Sequence, residues 1–252
     1  MFVKVRNLNI HYKVTGSGEP LLLLHGWGCN AQHWTRLQQH LAKRFTTYAI
    51  DLPGFGLSNS PETVWGSPEY ADLVAQFIGA VKVTNPILIG HSLGGKIIIN
   101  LVARNLVAVR KIVLISSAGV KLPRSLGLWL RIYSFKVVKF FALLPITRGL
   151  FGAKIERYKR KFGSEDYRNA DGHMRSILVK VVKEDLISLL PLVKAPALLL
   201  WGGKDISTPL RAGQIMQAMI SGSKLKVFPG SGHFPFLDNY ETVVVELDGF
   251  LG

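Results

Sequence analysis

The chain opens with residues 1–20, MFVKVRNLNIHYKVTGSGEP, where apolar and polar positions alternate before a glycine-rich turn. That period belongs to a half-buried β-hairpin rather than a signal peptide, and a cytoplasmic address follows as the default. A continuous apolar run, PLLLLHGWG, then reads as a buried strand ending in glycines, and AQHWTRLQQHLAKRF carries apolar positions at helical spacing. TTYAIDLPGFGLS is a second strand followed by a Gly-Pro loop. SPEYADLVAQFIGAVKV is a helix whose start is marked by Ser67 and Pro68. PILIG and KIVLISSAG are two further buried strands, separated by the helical LGGKIIINLVARNL. Strand alternating with helix predicts an α/β fold with a mostly parallel sheet and right-handed crossovers.

From about residue 120 the alternation stops, and roughly sixty residues of helical, basic and aromatic sequence follow. It resumes at APALLLWGGKD, with a helix LRAGQIMQAMI, a last strand KLKVFPGSGH and a closing helix NYETVVVELDGFL. The pattern therefore predicts a core of residues 1–119 and 186–252, interrupted by a helical cap at 120–185. An insertion between two strands sits at one sheet edge, here over the strand ends near Ser92. Within it, residues 126–145 read as a helix with Arg131, Lys136 and Lys139 in one sector, fit to cover a site or to lie on a membrane surface. Trp129, Phe135, Phe140 and Phe141 would there be walls for an acyl chain or plain packing.

The stretch ILIGHSLGGKIII, residues 87–99, almost satisfies two motifs. Read as a phosphate loop, Gly90 to Lys96 would need a Ser or Thr next, to hold magnesium; Ile97 stands there. Read as a nucleophile elbow, it needs an apolar strand, a sharp turn and a helix that lift a serine out at the strand's end. All three are present around Ser92, and Gly90, Gly94 and Gly95 fall where strand and helix backbones must pass closely.

A serine hydroxyl is a weak nucleophile at neutral pH, so the elbow calls for a base and an orienting acid. Around such elbows these follow in the order Ser, Asp or Glu, His. Asp205, in the loop after the strand LLLW, and His233, in the loop after the last strand, meet that order; Asp51 comes too early and Asp238 too late. Both candidates lie at carboxyl ends of strands, the edge where sites assemble in open α/β sheets. A tetrahedral intermediate also needs N–H donors for its oxyanion. Leu93, the residue after the serine, and Trp27, in the HGWG loop, are the expected pair, with His25 bracing that loop.

With 252 residues, 48% of them hydrophobic, the chain can bury one large core. No apolar stretch reaches a membrane span. A single cysteine, Cys29, excludes an intrachain disulfide, and the seven histidines show no metal-binding spacing, so no cofactor is expected. The net charge of +15 is uneven: residues 120–185 hold fifteen Lys or Arg against six Asp or Glu, a net of +9 in about a quarter of the chain. Such a segment fits an acidic partner, which the resemblance named below would make a carrier protein, an anionic membrane surface or a solvated face. Nucleic acid is not an expected partner, since no motif sets basic side chains on a groove.

LLLLHGWG, DLPGFGLS, GHSLGG, WGGKD and GSGHFPF, in this order, resemble the α/β-hydrolase superfamily over nearly the whole chain outside the insertion. Within it, HGWGCNAQHW followed by DLPGFG is similar to the family of pimeloyl-carrier-protein methyl ester esterases. The resemblance implies a serine hydrolase that cleaves carboxylic esters of short to medium acyl chains through Ser92, His233 and Asp205. A serine in the elbow sets the chain apart from dehalogenases and epoxide hydrolases of the superfamily, whose nucleophile is aspartate. Carrier-protein, lipid and lactone esters, and carbon–carbon bonds, fall to the same triad, and a non-catalytic binding protein could keep the fold.

Overall fold

The structure is a computed structural model that describes residues 1–122 and 170–252. The helix expected over 126–145, its aromatic residues and the basic run at 154–163 lie outside the described residues. Two compact units are distinguished, Met1–Lys121 with Ser176–Gly252, and Leu122–Arg175.

In the first unit, strands β1 (Phe2–Val5) and β2 (Leu8–Thr15) form the expected antiparallel hairpin, Val5 facing Leu8 across a turn in which Arg6 takes a positive φ of 55°. Then come β3 (Glu19–Leu24), α1 (Thr35–Leu41), β4 (Phe45–Ile50), α2 (Ser67–Ala80), β5 (Ile87–His91), α3 (Leu93–Ala103) and β6 (Lys111–Ile115). Beyond 169 the chain forms α4 (Gly172–Lys183), β7 (Ala197–Gly202), α5 (Leu210–Met219), β8 (Lys224–Phe228), α6 (Pro235–Asp238) and α7 (Tyr240–Leu251).

The strands make one eight-stranded sheet in the order β1-β2-β4-β3-β5-β6-β7-β8. All pairs from β4 to β8 are parallel, and the pairs β1–β2 and β2–β4 are antiparallel. The chain goes from β3 out to β4 and then returns to the other side of β3 for β5. That reversal opens a crevice beyond the carboxyl ends of β3 and β5, where ligands bind in sheets of this type.

Leu21, Leu22, Leu23 and Leu24 of β3 are fully buried because helices cover both faces, which is why this strand reads as a continuous apolar run. On one face, Leu21 and Leu23 pack with Trp34, Leu37, Phe45, Val113, Leu200 and Leu247 in a single cluster. Each such side chain contributes roughly 1.5–3 kcal/mol by leaving water.

Two local expectations shift. The helix read over 31–45 begins as a 3-10 turn, Ala31–Trp34, capped by the Asn30 side chain, and ends at Leu41. Helix α2 is capped by Gly66, whose N–H bonds the Glu69 carboxylate at 2.7 Å, and not by Ser67. The Ser67 hydroxyl instead donates to Glu184 at 2.5 Å and accepts from Asn100 at 2.9 Å.

Candidate active site

Strand β5 ends at His91, α3 begins at Leu93, and Ser92 makes the whole turn between them with φ 49° and ψ −107°. A residue with a Cβ in this region carries strain of order 1–3 kcal/mol, which persists only where neighbours over-determine it. Here they do. The Ser92 N–H donates to Ile115 O at 3.1 Å, and Ser92 O accepts from Lys96 N at 3.2 Å and Ala118 N at 3.0 Å. The glycines complete the turn: a Cβ at Gly94 would stand on the Leu24 carbonyl, one at Gly95 on the Ser117 hydroxyl, and one at Gly90 2.5 Å from Gly94 C. Ser92 is left half-buried at the mouth of the crevice.

Asp205 and His233 come from the loops that follow β7 and β8, and the structure brings them together: His233 Nδ1 donates to Asp205 Oδ2 at 2.8 Å. This hydrogen bond puts the ring proton on Nδ1 and leaves Nε2 as the basic nitrogen. Burial opposes ionisation of Asp205, but hydrogen bonds from His233 and from the N–H and hydroxyl of Thr208 outweigh it and pull the carboxyl down to about 2. Asp205 is therefore an anion throughout the neutral range. Thr208 was not singled out from the sequence; a Ser or Thr three residues beyond a loop aspartate was the available signal.

Ser92 is joined to this pair through its neighbour. The His91 ring lies 4.7 Å, centroid to centroid, from that of His233, and His91 Nε2 donates to the His233 carbonyl at 2.9 Å. Burial and the adjacent His233 hold His91 down to about 3, so it stays neutral beside the basic histidine.

The HGWG loop closes the other side. A Cβ on Gly26 would fall 2.7 Å from His91 Nδ1 and 3.2 Å from the Ser92 Cβ, so only glycine lets the loop lie against the elbow. Trp27 follows, half-buried, its ring edge-on to Phe55 at 4.9 Å. Leu93 opens α3, so its N–H lies in the first turn, where helices have no internal acceptor. His25 does brace the loop: Leu52 N donates to its Nε2 at 2.9 Å and its Nδ1 donates to Gly26 O at 2.7 Å. Burial lowers His25 to about 4. Asp51, set aside as too early in the chain, accepts from Ala31 N at 2.6 Å, Leu57 N at 3.0 Å and His11 at 2.8 Å, tying together the loops after β3 and β4.

Lys96, the lysine of the near phosphate loop, is buried and engaged elsewhere. Its Nζ donates to Val181 O at 2.5 Å and Glu184 O at 3.1 Å, and pairs with Glu184 Oε2 at 3.4 Å. Among the described residues no group of three or more His, Cys, Asp or Glu could hold a metal ion. Nor is any described helix long and apolar enough to cross a membrane.

The mostly parallel sheet thus sets Ser92 at a strand-to-helix turn after β5 and the Asp205–His233 pair in the loops after β7 and β8. Residues 21–247 match the Alpha/beta hydrolase family, and the chain belongs to it. Several of the proteins the chain is similar to are esterases. The pimeloyl-[acyl-carrier protein] methyl ester esterase of Nitrosomonas europaea is 27% identical over 250 residues, covering 94% of this chain and 97% of that one. The esterase EaEST of Exiguobacterium antarcticum superposes with a TM-score of 0.77 at 26% identity, over 99% of this chain and 98% of its own. A membrane phospholipase A, described as a bacterial virulence factor, superposes with a TM-score of 0.80 at 28% identity, over 100% of this chain and 84% of that one. The chain is an esterase-type hydrolase.

Proposed function

We propose that the protein hydrolyses carboxylic esters of short to medium acyl chains through a Ser92–His233–Asp205 triad and an acyl-enzyme. The observation that carries this reading is Ser92 held at φ 49° between β5 and α3, beside a His233–Asp205 pair bonded at 2.8 Å. Ser92 Oγ attacks the ester carbonyl carbon while its proton passes to His233 Nε2. The N–H groups of Trp27 and Leu93 hold the developing oxyanion. The C–O bond then breaks, and the alcohol leaves with the proton from His233. Water, activated by the same nitrogen, next attacks the acyl-enzyme and releases the acid. Asp205, anionic at neutral pH, holds the tautomer and stabilises the imidazolium. The inserted segment 120–185 acts as a cap that sets acyl length.

Hydrolysis of p-nitrophenyl esters of increasing acyl length, beside Ser92→Ala, tests this. Serine-dependent turnover peaking at short or medium chains is expected; turnover that survives Ser92→Ala would remove the triad.

A second reading rests on the likeness to the membrane phospholipase A and on the net +9 of residues 120–185. In it the ester belongs to a phospholipid, and the basic segment docks an anionic bilayer. A carrier-protein ester, as on the pimeloyl enzymes, would use the same charge against an acidic carrier. Salt-sensitive co-sedimentation with phosphatidylglycerol vesicles, and not with phosphatidylcholine vesicles, is the expected signature of the lipid case.

A further inference from the structure

The Asp205 side chain is fully buried, and a carboxylate offers about four lone-pair directions that burial requires to be filled. Oδ1 accepts from the N–H groups of Ser207 at 2.8 Å and Thr208 at 2.9 Å. Oδ2 accepts from His233 Nδ1 at 2.8 Å and from the Thr208 hydroxyl at 2.7 Å. The shell closes with this hydroxyl.

Thr208 also stands where three strand ends meet. Its Oγ1 lies 3.0 Å from Ser116 O, at the end of β6, and 3.3 Å from His233 Nδ1. A hydroxyl has one proton, and the charged oxygen at the shorter distance takes it, because charge-assisted hydrogen bonds are the stronger ones. Ser116 holds its carbonyl in place at a positive φ of 42°, with its own hydroxyl buried and unpartnered among the described residues. A turn stabilised only locally, by Thr208 N and Ser207 N on Oδ1, would need neither the Oδ2 contact nor the reach to β6.

We propose that Thr208 is a positioning residue for the ester hydrolysis: its hydroxyl completes the Asp205 shell and limits how strongly the carboxylate draws a proton onto His233. This rests on the triad reading above. With the hydroxyl gone, the negative charge on Oδ2 has His233 as its one remaining donor among the described residues, so the imidazolium is held more tightly and the base is protonated at higher pH. Among the described residues the His233 ring also packs against the neutral His91 ring at 4.7 Å, and Asp238 of α6 accepts from Gly232 N, next to His233 in the chain, at 2.8 Å. Lys204, exposed in the β7 loop, bonds Ser231 O through its backbone N–H at 2.9 Å. None of these contacts passes through Thr208 Oγ1.

The experiment compares the unaltered enzyme, Thr208→Val and Thr208→Ser, with Thr208→Ala in reserve should valine not be accommodated. It follows p-nitrophenyl ester hydrolysis from pH 5 to 9, with thermal melting as the folding control. Thr208→Val is expected to lose roughly 10- to 100-fold in kcat with little change in KM, the range for one hydrogen bond to a charged group. The acidic limb of its kcat profile moves to higher pH by roughly half a unit or more. Thr208→Ser recovers most of the rate and returns the limb. A valine variant whose limb stays put and whose kcat stays within about twofold overturns the proposal; so does a serine variant as slow as valine, since restoring the hydroxyl would then not restore the rate. Ser92→Ala, assayed alongside, separates the two readings. If it abolishes turnover while Thr208→Val behaves as the parent, the triad stands and the role of Thr208 falls. If it leaves turnover intact, the triad itself falls.

Discussion

Two histidines beside the elbow, His25 and His91, are folded in the neutral state, and the cause is burial: it holds His25 down to about 4 and His91 down to about 3, against 6.5 in an exposed chain. Between pH 6.5 and about 4 the unfolded chain therefore binds about two protons that the fold does not. Stability from these residues is complete above pH 6.5 and falls as pH drops, by up to roughly 2.7 kcal/mol per unit, two protons at 1.36 kcal/mol each. Asp205, lowered from 3.8 to about 2, adds a further loss between about pH 4 and 2, in the same direction. The urea midpoint is expected to fall steeply between pH 6.5 and 5, and less steeply in His91→Asn; a midpoint constant down to pH 5 would contradict the buried neutral pair. For activity, Asp205→Asn keeps the shape of the side chain but offers the wrong partner to Nδ1, and a fall in kcat of roughly 10³- to 10⁴-fold is expected with KM little changed. A stopped assay against the p-nitrophenyl ester preferred by the parent reads it directly.

At the scale of elements, α3 is wedged rather than laid on the sheet. A Cβ at Gly94 meets the backbone carbonyl of Leu24, which has nowhere to go in a strand paired on both sides. Gly94→Ala is expected to cost about 1–3 kcal/mol, read as a lower urea midpoint at unchanged slope. The same helix carries Lys96, whose Nζ caps the carbonyl end of α4 while Glu184, just past that end, caps Ser67 N of α2 at 2.9 Å. Removing one partner of a buried pair typically costs about 3–5 kcal/mol, mostly from the charge left behind. Lys96→Met and Glu184→Gln together should therefore cost clearly less than the sum of the two single changes, and additive costs would show that the pair is not coupled.

This helix also shows what a sequence can and cannot display. The strand period of residues 87–91, the serine and the three glycines are local features, and they mark the elbow without any partner in view. Asp205 and His233 were legible because strand ends are local too, and the order Ser, Asp, His left few alternatives. The work of Lys96 was not legible: its partner Glu184 is 88 residues away, just past the end of a helix that the alternation does not announce. Ser67 was read as a cap for the same reason, its true partner lying 117 residues on. Thr208 has the residue type of any turn, and its second role emerges only when β6, β7 and β8 are laid side by side.

The whole molecule carries 31 basic and 16 acidic residues, and this imbalance sets how it responds to salt. Exposed ion pairs such as Arg36–Glu241 and Lys226–Glu246 weaken as salt rises, but each contributes only about 0–1 kcal/mol. Opposing them is self-repulsion from a net +15, which acts across the molecule when the screening length is about 30 Å, at 0.01 M, and is largely confined to neighbours at about 8 Å, near 0.15 M. Fifteen uncompensated charges outweigh a handful of weak pairs, so compaction is favoured by screening. The thermal midpoint is expected to rise by a few degrees between 0.01 and 0.15 M sodium chloride, since about 1 kcal/mol moves a domain of this size by about 2–4 °C. Potassium glutamate at the same ionic strength should act alike, because the effect is screening rather than binding of one anion. A midpoint that falls with salt would mean that the surface pairs dominate and that the basic residues are already compensated within the fold.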